Sequence, residues 1–291
     1  MQGTIDGFSY GAVTPVAAFL MACLGAALGL RCTTRSLRTE RSFKAGWLAL
    51  GAASIGSGIW TMHFIAMMGF SVEEVPIGYD KPITFASLAV AIVMVGVGIF
   101  LVGYRGATPM ALVTGGTITG LGVATMHYLG MAGMRLDGRF EYDTITVTLS
   151  VVIAVVASTA ALWAAVSIHG FLPSLGAAVV MGVAVSGMHY TSMAALRVHL
   201  HPATLTGTTA GDTPTGFLVP MLIGPACFLL LAGIVVMFDP LVVMGTPDWG
   251  DAAAGRALGI PAQRQVPRFG THADPASFHS QWRDPVRHDD R

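Results

Sequence analysis

The chain has 291 residues, 53% of them hydrophobic and only 11% charged, with a mean hydropathy of +0.66; ordinary soluble domains fall outside that range, and the chain reads as an integral membrane protein. The formal net charge of +0 says nothing by itself about nucleic acid, but no basic patch of the kind that binds it stands out. Cys23, Cys32 and Cys227 are scattered, with no C-x-x-C, which argues against a disulfide framework.

Apolar stretches able to cross a hydrocarbon core, which takes about 20 residues of helix, fall near 11–30, 46–70, 83–104, 110–134, 146–168, 175–196 and 217–238. The expected fold is therefore all-α, a polytopic bundle of seven transmembrane helices. No Lys or Arg precedes the first span and Asp6 does, so that span reads as a retained anchor and not a cleaved leader. The stretch RCTTRSLRTERSFK, with Arg31, Arg35, Arg38, Arg41 and Lys44 against Glu40 alone, is expected as a cytoplasmic loop. Seven crossings then put the N-terminus outside and the C-terminus inside, with acid-rich loops facing outward. After the last span come scattered prolines and few aliphatic residues, beginning at Asp239-Pro240, which ends the helix. We expect a seven-helix domain over 1–240 and a disordered cytoplasmic tail over 241–291, shorter than the roughly 100–150 residues of a kinase or cyclase output domain.

Three strings repeat in register: TMHFIAMMGF from Thr61, TMHYLGMAGM from Thr125 and GMHYTSMAAL from Gly187. Their histidines, His63, His127 and His189, are each preceded by a methionine (Met62, Met126, Met188) and followed by an aromatic ring (Phe64, Tyr128, Tyr190). Four residues on comes a second methionine (Met67, Met131, Met193), and seven residues before each histidine stands a glycine (Gly56, Gly120, Gly182). The chain thus reads as three copies of a two-helix unit, all in the same orientation, plus a seventh helix. At 3.6 residues per turn, the histidine, the methionine four residues on and the glycine share a face. Glycine lets a neighbouring backbone approach closely, so that face points into the bundle, with the three imidazoles at one depth in the outer half of the membrane.

A single membrane histidine more often hydrogen-bonds to a neighbouring helix than holds a ligand, and a single methionine is ordinary packing. Three pairs at one depth favour a shared site. Thioether sulfur is a soft donor and imidazole a borderline one, a set suited to copper, particularly Cu(I). The candidate ligands are His63, Met67, His127, Met131, His189 and Met193. Met62, Met126 and Met188 project about 100° away on the helix and are weaker metal candidates.

Met188-His189-Tyr190-Thr191 and its two looser copies resemble the bacterial MHYT domain, over about residues 10 to 240. That resemblance implies a sensory domain of the bacterial inner (plasma) membrane, proposed to hold copper on its Met and His residues and to sense O2, CO or NO. It also implies a cytoplasmic signalling partner, because many members are fused to cyclic-di-GMP enzymes or histidine kinases; separately, the lack of a Walker, G-x-S-x-G, H-E-x-x-H or C-x-x-C-H motif leads us to expect no enzyme activity. Tyr128 and Tyr190 are expected to orient ligands through hydrogen bonds around the site, a function Phe64 lacks.

Two rival classes stay open from the residues alone: an electron-transfer or oxidoreductase protein, with b-type haem ligated by two of the histidines or with copper turning over oxygen, and a copper transporter. The first lacks an acid or base recurring beside the histidines; the second would need ligands at successive depths. His199 and His201 alternate in an extended stretch and are candidates for metal capture, though loop histidines are more often simply solvated. His169 reads as a helix-end residue, Trp60 as core or interfacial packing near the site, and Cys227 as a small apolar residue.

Overall fold

In the computed structural model the described residues are 2–37, 41–168, 170–200 and 214–238. The expectations for His169, His201, Asp239-Pro240 and the tail over 241–291 lie outside them. Seven helices run through the chain: α1 Val13–Leu37, α2 Arg41–Met68, α3 Lys81–Arg105, α4 Pro109–Ala132, α5 Thr144–Ser167, α6 Phe171–Ala194 and α7 Pro214–Met237. All seven are long and apolar enough to cross a membrane. Where the sequence marks a start, the local chemistry explains it. Asp80, Thr108 and Asp143 each cap a helix by accepting from the backbone N–H three residues on, at 3.1, 3.2 and 2.9 Å, and Pro82 and Pro109 occupy first turns that need no N–H.

One boundary differs from expectation. The arginine-rich stretch is not a loop: α1 continues through Arg31 and Arg35 to Leu37, and α2 begins at Arg41, so only 38–40 lie between them. The charges are accommodated on the helix by aromatic faces, Arg31 over Phe171 at 5.0 Å and Arg35 over Trp47 at 5.6 Å. The Thr33 and Ser36 hydroxyls donate back to the carbonyls of Gly29 and Thr33.

Each of the first six helices packs on the next, and α6 closes back onto α1; α7 lies outside this ring against α2 and α1. The repeated glycines sit at close helix–helix contacts of the ring. A Cβ at Gly56 would lie 2.8 Å from Ile92 Cα on α3, one at Gly120 2.5 Å from Val155 Cα on α5, and one at Gly182 2.5 Å from Cys23 Sγ on α1. Each even-numbered helix is thereby pressed against the odd-numbered helix that follows it around the ring, the same relation three times. Leu20, Val93, Val113, Val156 and Val183 point outward, as a lipid-facing surface requires.

The connections at the histidine-bearing end carry short antiparallel pairs within the helical fold. β1 (Ile5–Asp6) pairs with β2 (Ser71–Val72), β3 (Gly78–Tyr79) with β4 (Met134–Arg135), and β5 (Gly138–Tyr142) with β6 (Leu196–Leu200). In each case the strand before an odd helix pairs with the strand after the next even helix, so every two-helix unit ties its own ends together. Arg135 adds an ion pair to Asp80 at 2.7 Å, and His199 Nε2 lies 2.8 Å from the Glu141 carboxylate. The second contact commits His199 to β5. Cys23, Cys32 and Cys227 form no disulfide.

Candidate metal centre

His63, His127 and His189 each stand five residues before the last residue of α2, α4 and α6. With the three even helices related by the same packing, the side chains meet on the axis of the ring. Their Nδ1 atoms form a triangle: 3.1 Å from His63 to His189, 3.2 Å from His127 to His63 and 3.4 Å from His189 to His127. All three rings are buried, and they meet edge to face. Together they are a candidate metal site.

Proton accounting tests whether a metal fits. A neutral imidazole has one N–H and one lone pair. A proton on Nδ1 points into the triangle, where two other nitrogens compete for it; a proton on Nε2 meets no acceptor at His63 or His127, whose Nε2 atoms are buried without a partner. No assignment of tautomers satisfies all three rings, and an unmatched buried polar group costs about 1–3 kcal/mol. A cation accepting all three Nδ1 lone pairs resolves the conflict at the centre. The point equidistant from the three nitrogens lies about 1.9 Å from each, close to the roughly 2.0–2.1 Å of imidazole–metal bonds. The residues present fit a metal ion.

Around this triangle the repeats build layers. One turn beyond it, towards the strand-bearing end, lie Met67, Met131 and Met193. Met67 and Met131 are fully buried and Met193 is partly so, in a cluster with Phe70, Val72, Met134, Leu196 and Val198. One and two turns in the opposite direction lie Ile59, Val123 and Val185, then Ile55, Thr119 and Met181. These six line a mainly apolar chamber with about 60 Å³ of free space, several times the roughly 10–15 Å³ one water needs. Met62 and Met126 pack between helices, Met62 against Ala18 and Ala22 and Met126 against Trp60, Phe64 and Ala91. Met188 borders the chamber.

The aromatic residues after the histidines pack against them edge to face. Phe64, Tyr128 and Tyr190 each stand edge to face with the adjacent imidazole at 4.6, 5.0 and 5.0 Å between centroids. The Tyr128 hydroxyl is hydrogen-bonded to Ser150 Oγ on α5 at 2.8 Å. Phe64, which lacks a hydroxyl, fills the equivalent place. Trp60 packs on Phe64 at 4.7 Å and donates its indole N–H to Ser87 Oγ at 2.9 Å, so it supports the site through Phe64.

Sequence reasoning missed Gly130. A Cβ there would lie 2.6 Å from His63 Nε2 and 3.3 Å from Phe64 Cζ, so glycine on α4 makes the space in which the α2 imidazole sits. The available signal was the small residue three positions after each histidine: Ala66, Gly130, Ser192. Also missed was the segment before α1, which crosses the site on its strand-bearing side.

Comparison with known proteins places this architecture. The family described as the MHYT bacterial signalling protein N-terminal repeat matches residues 56–115 and 120–178. Both matches begin on a repeated glycine, Gly56 and Gly120. The chain is 34% identical over 233 residues to the bifunctional diguanylate cyclase/cyclic di-GMP phosphodiesterase MucR of Pseudomonas aeruginosa, covering 78% of this chain and 34% of that protein. It is 33% identical to the cyclic di-GMP phosphodiesterase NbdA of the same organism, over 67% of this chain and 26% of the relative. It is 32% identical to the signaling protein YkoW of Bacillus subtilis, over 62% and 23%. The chain therefore spans about a third or less of these relatives. No solved structure matches it.

Proposed function

This chain belongs to the MHYT family of bacterial signalling proteins, and from that premise we propose that it is a membrane sensory domain holding copper on His63, His127 and His189 and responding to O2, CO or NO. The observation that carries the proposal is the Nδ1 triangle, three buried imidazoles whose inward-facing nitrogens compete for the same protons and whose lone pairs one cation could accept together. Copper, particularly Cu(I), is favoured by the donor set: borderline imidazoles, soft thioethers of Met67, Met131 and Met193 in the next layer, and no carboxylate grouped with the triad among the described residues. Copper would supply an open coordination position for an uncharged diatomic ligand. The chamber bounded by Ile59, Val123 and Val185 supports that part of the reading, since small apolar molecules partition into dry apolar cavities.

The chain's own residues hold the triad in place and keep its rings buried. Each histidine is on a different even helix, so any rearrangement at the centre is shared by α2, α4 and α6. A ligand shifts such an assembly only by its difference in affinity between two arrangements. We place the histidine end outside, the C-terminus in the cytoplasm and the protein in the bacterial inner membrane, with a cytoplasmic partner as receiver of the signal. By analogy with MucR and NbdA that receiver belongs to cyclic di-GMP turnover. We read the chain itself as a binding and signalling protein, not an enzyme. The triangle weighs against a b-type haem, whose axial ligands face each other across the iron at roughly 4 Å, twice a metal–imidazole bond.

The test is metal analysis with an optical spectrum of the detergent-purified chain, beside His63→Ala, His127→Ala and His189→Ala. Stoichiometric copper that each variant loses, with no Soret band, is expected. A Soret band, or no metal under reducing conditions, would overturn the copper assignment.

A further inference from the structure

The segment before α1 lies across the ends of α2 and α6 like a strap. Gly3 N donates to Val198 O at 2.9 Å and Ser9 N to Gly69 O at 3.0 Å. β1 pairs with β2, the Ser9 and Ser71 hydroxyls meet at 2.7 Å, and Thr4 N donates to the Glu74 carboxylate at 3.0 Å. The Phe8 ring stacks on Tyr190 at 5.9 Å between centroids. Beneath the strap is a cleft of about 280 Å³, lined by Phe8, Met67, His189, Tyr190 and Met193 among others.

That lining breaks the threefold equivalence of the repeats. His189 borders the cleft, whereas the Nε2 atoms of His63 and His127 are buried without partners. Of the three methionines one turn beyond the histidines, Met67 and Met193 border the cleft, and Met131, fully buried, is not in its lining. Two thioethers therefore stand between the surface and one member of the triad. Thioether binds soft monovalent cations without releasing a proton and discriminates against Mg2+ and Ca2+. Its neutrality lets the ion be passed on to imidazoles.

We propose that this cleft is the port through which Cu(I) reaches the triad, taken up by Met193 and Met67 and delivered to His189, with the Phe8 strap as its lid. Each transfer is an exchange of one neutral ligand for another, and the ion stays Cu(I) throughout. The proposal rests on the copper reading and sorts five of its six candidate ligands into a holding set, the histidines, and a delivering set, Met193 and Met67.

The experiment presents the metal-free full-length chain in detergent with Cu(I) as its coloured bicinchoninate complex. Decay of the chelate absorbance gives the uptake rate, and its end point gives the affinity. Met193→Leu and Met67→Leu are expected to slow uptake by about tenfold or more with end points within about twofold of wild type. A Ser9→Cys/Ser71→Cys pair, oxidised to tie the strap down, slows uptake, and a phosphine reductant restores it. Wild-type rates in both methionine variants and in the locked strap would overturn the port. Lost end points at unchanged rates would make the methionines holding ligands and overturn it equally. Failure of the wild type itself to take copper from the chelate would instead overturn the metal reading on which the port rests.

Discussion

His63 and His189 are 126 residues apart in the chain, yet their Nδ1 atoms stand 3.1 Å apart in the buried centre of the ring. Unlike a histidine bonded to a neighbouring helix, each faces groups with the same needs as its own. The triad is therefore expected to cost the metal-free protein stability. Replacing all three histidines by leucine removes the two unpartnered Nε2 atoms, each a burden of about 1–3 kcal/mol. The triple variant is expected to melt above the metal-free wild type and to gain nothing from added copper, whereas the wild type rises with copper concentration, as binding to the folded state requires. Thermal melts in detergent, with and without Cu(I), check both.

Gly130 supplies the second prediction. A methyl group there would stand 2.6 Å from His63 Nε2 and must displace the ring. Gly130→Ala is expected to weaken copper binding by roughly 10–100-fold, the range seen when groups that orient ligands are altered, while the helical content by circular dichroism is kept. Ala66→Gly, at the equivalent position of the first repeat, is the control and leaves affinity within about threefold.

Periodicity and composition carried most of the bundle: seven spans, the threefold unit and the shared depth of the three histidines follow from apolar length and from residues recurring at helical spacing. What the sequence did not carry is what depends on closure of the ring. That α6 packs on α1 brings His189 back to His63, and no local pattern encodes it. The strand pairs were invisible for another reason: segments as short as Gly78–Tyr79 and Met134–Arg135 have no period to read, and their partners are set by which helix ends the bundle brings together. The extension of α1 through Arg31 and Arg35 escaped because charge alone suggested a loop, whereas Phe171 and Trp47 provide surfaces for both guanidinium groups.

The repeated glycines are equivalent in sequence but not in what surrounds them. At Gly120 an added methyl meets the backbone of Val155 and Ala154, at 2.5 to 2.8 Å, and a helix must move. At Gly182 it meets the Cys23 thiol at 2.5 Å and the Phe19 ring edge at 3.2 Å, and side chains give way more easily. Gly120→Ala is expected to cost about 1–3 kcal/mol, the range for overpacking, and Gly182→Ala less than that. Melting temperatures of the two variants in one detergent decide the order.

Acid should loosen the strand-bearing end first. Hydrogen bonding to Arg135 holds the Asp80 carboxyl below its ordinary range, and hydrogen bonding to Thr146 does the same for Asp143. A carboxyl lowered in the folded state stabilises it fully above the unfolded value, about pH 4, and loses that contribution as pH falls through the folded value. Asp143→Asn keeps the cap without the titration. Wild type is expected to melt above this variant at neutral pH, with the gap closing below pH 4; a gap independent of pH would show that the charge contributes nothing.

Filling the chamber beneath the triad is expected to separate ligand access from metal binding. Val123 and Val185 stand one turn from His127 and His189 and form part of its wall, and none of the three histidines is in its lining. Phenylalanine at either position fills most of the roughly 60 Å³ of free space without touching a candidate ligand atom's chemistry. Copper content should be unchanged in Val123→Phe and Val185→Phe, but binding of carbon monoxide to the reduced protein, followed by its infrared stretch, should be at least about tenfold weaker, or about 1.4 kcal/mol. Xenon uptake, read by 129Xe nuclear magnetic resonance, should be present in wild type with or without copper and lost in both variants. Retained carbon monoxide binding alongside lost xenon would show that the ligand approaches the triad from the methionine side.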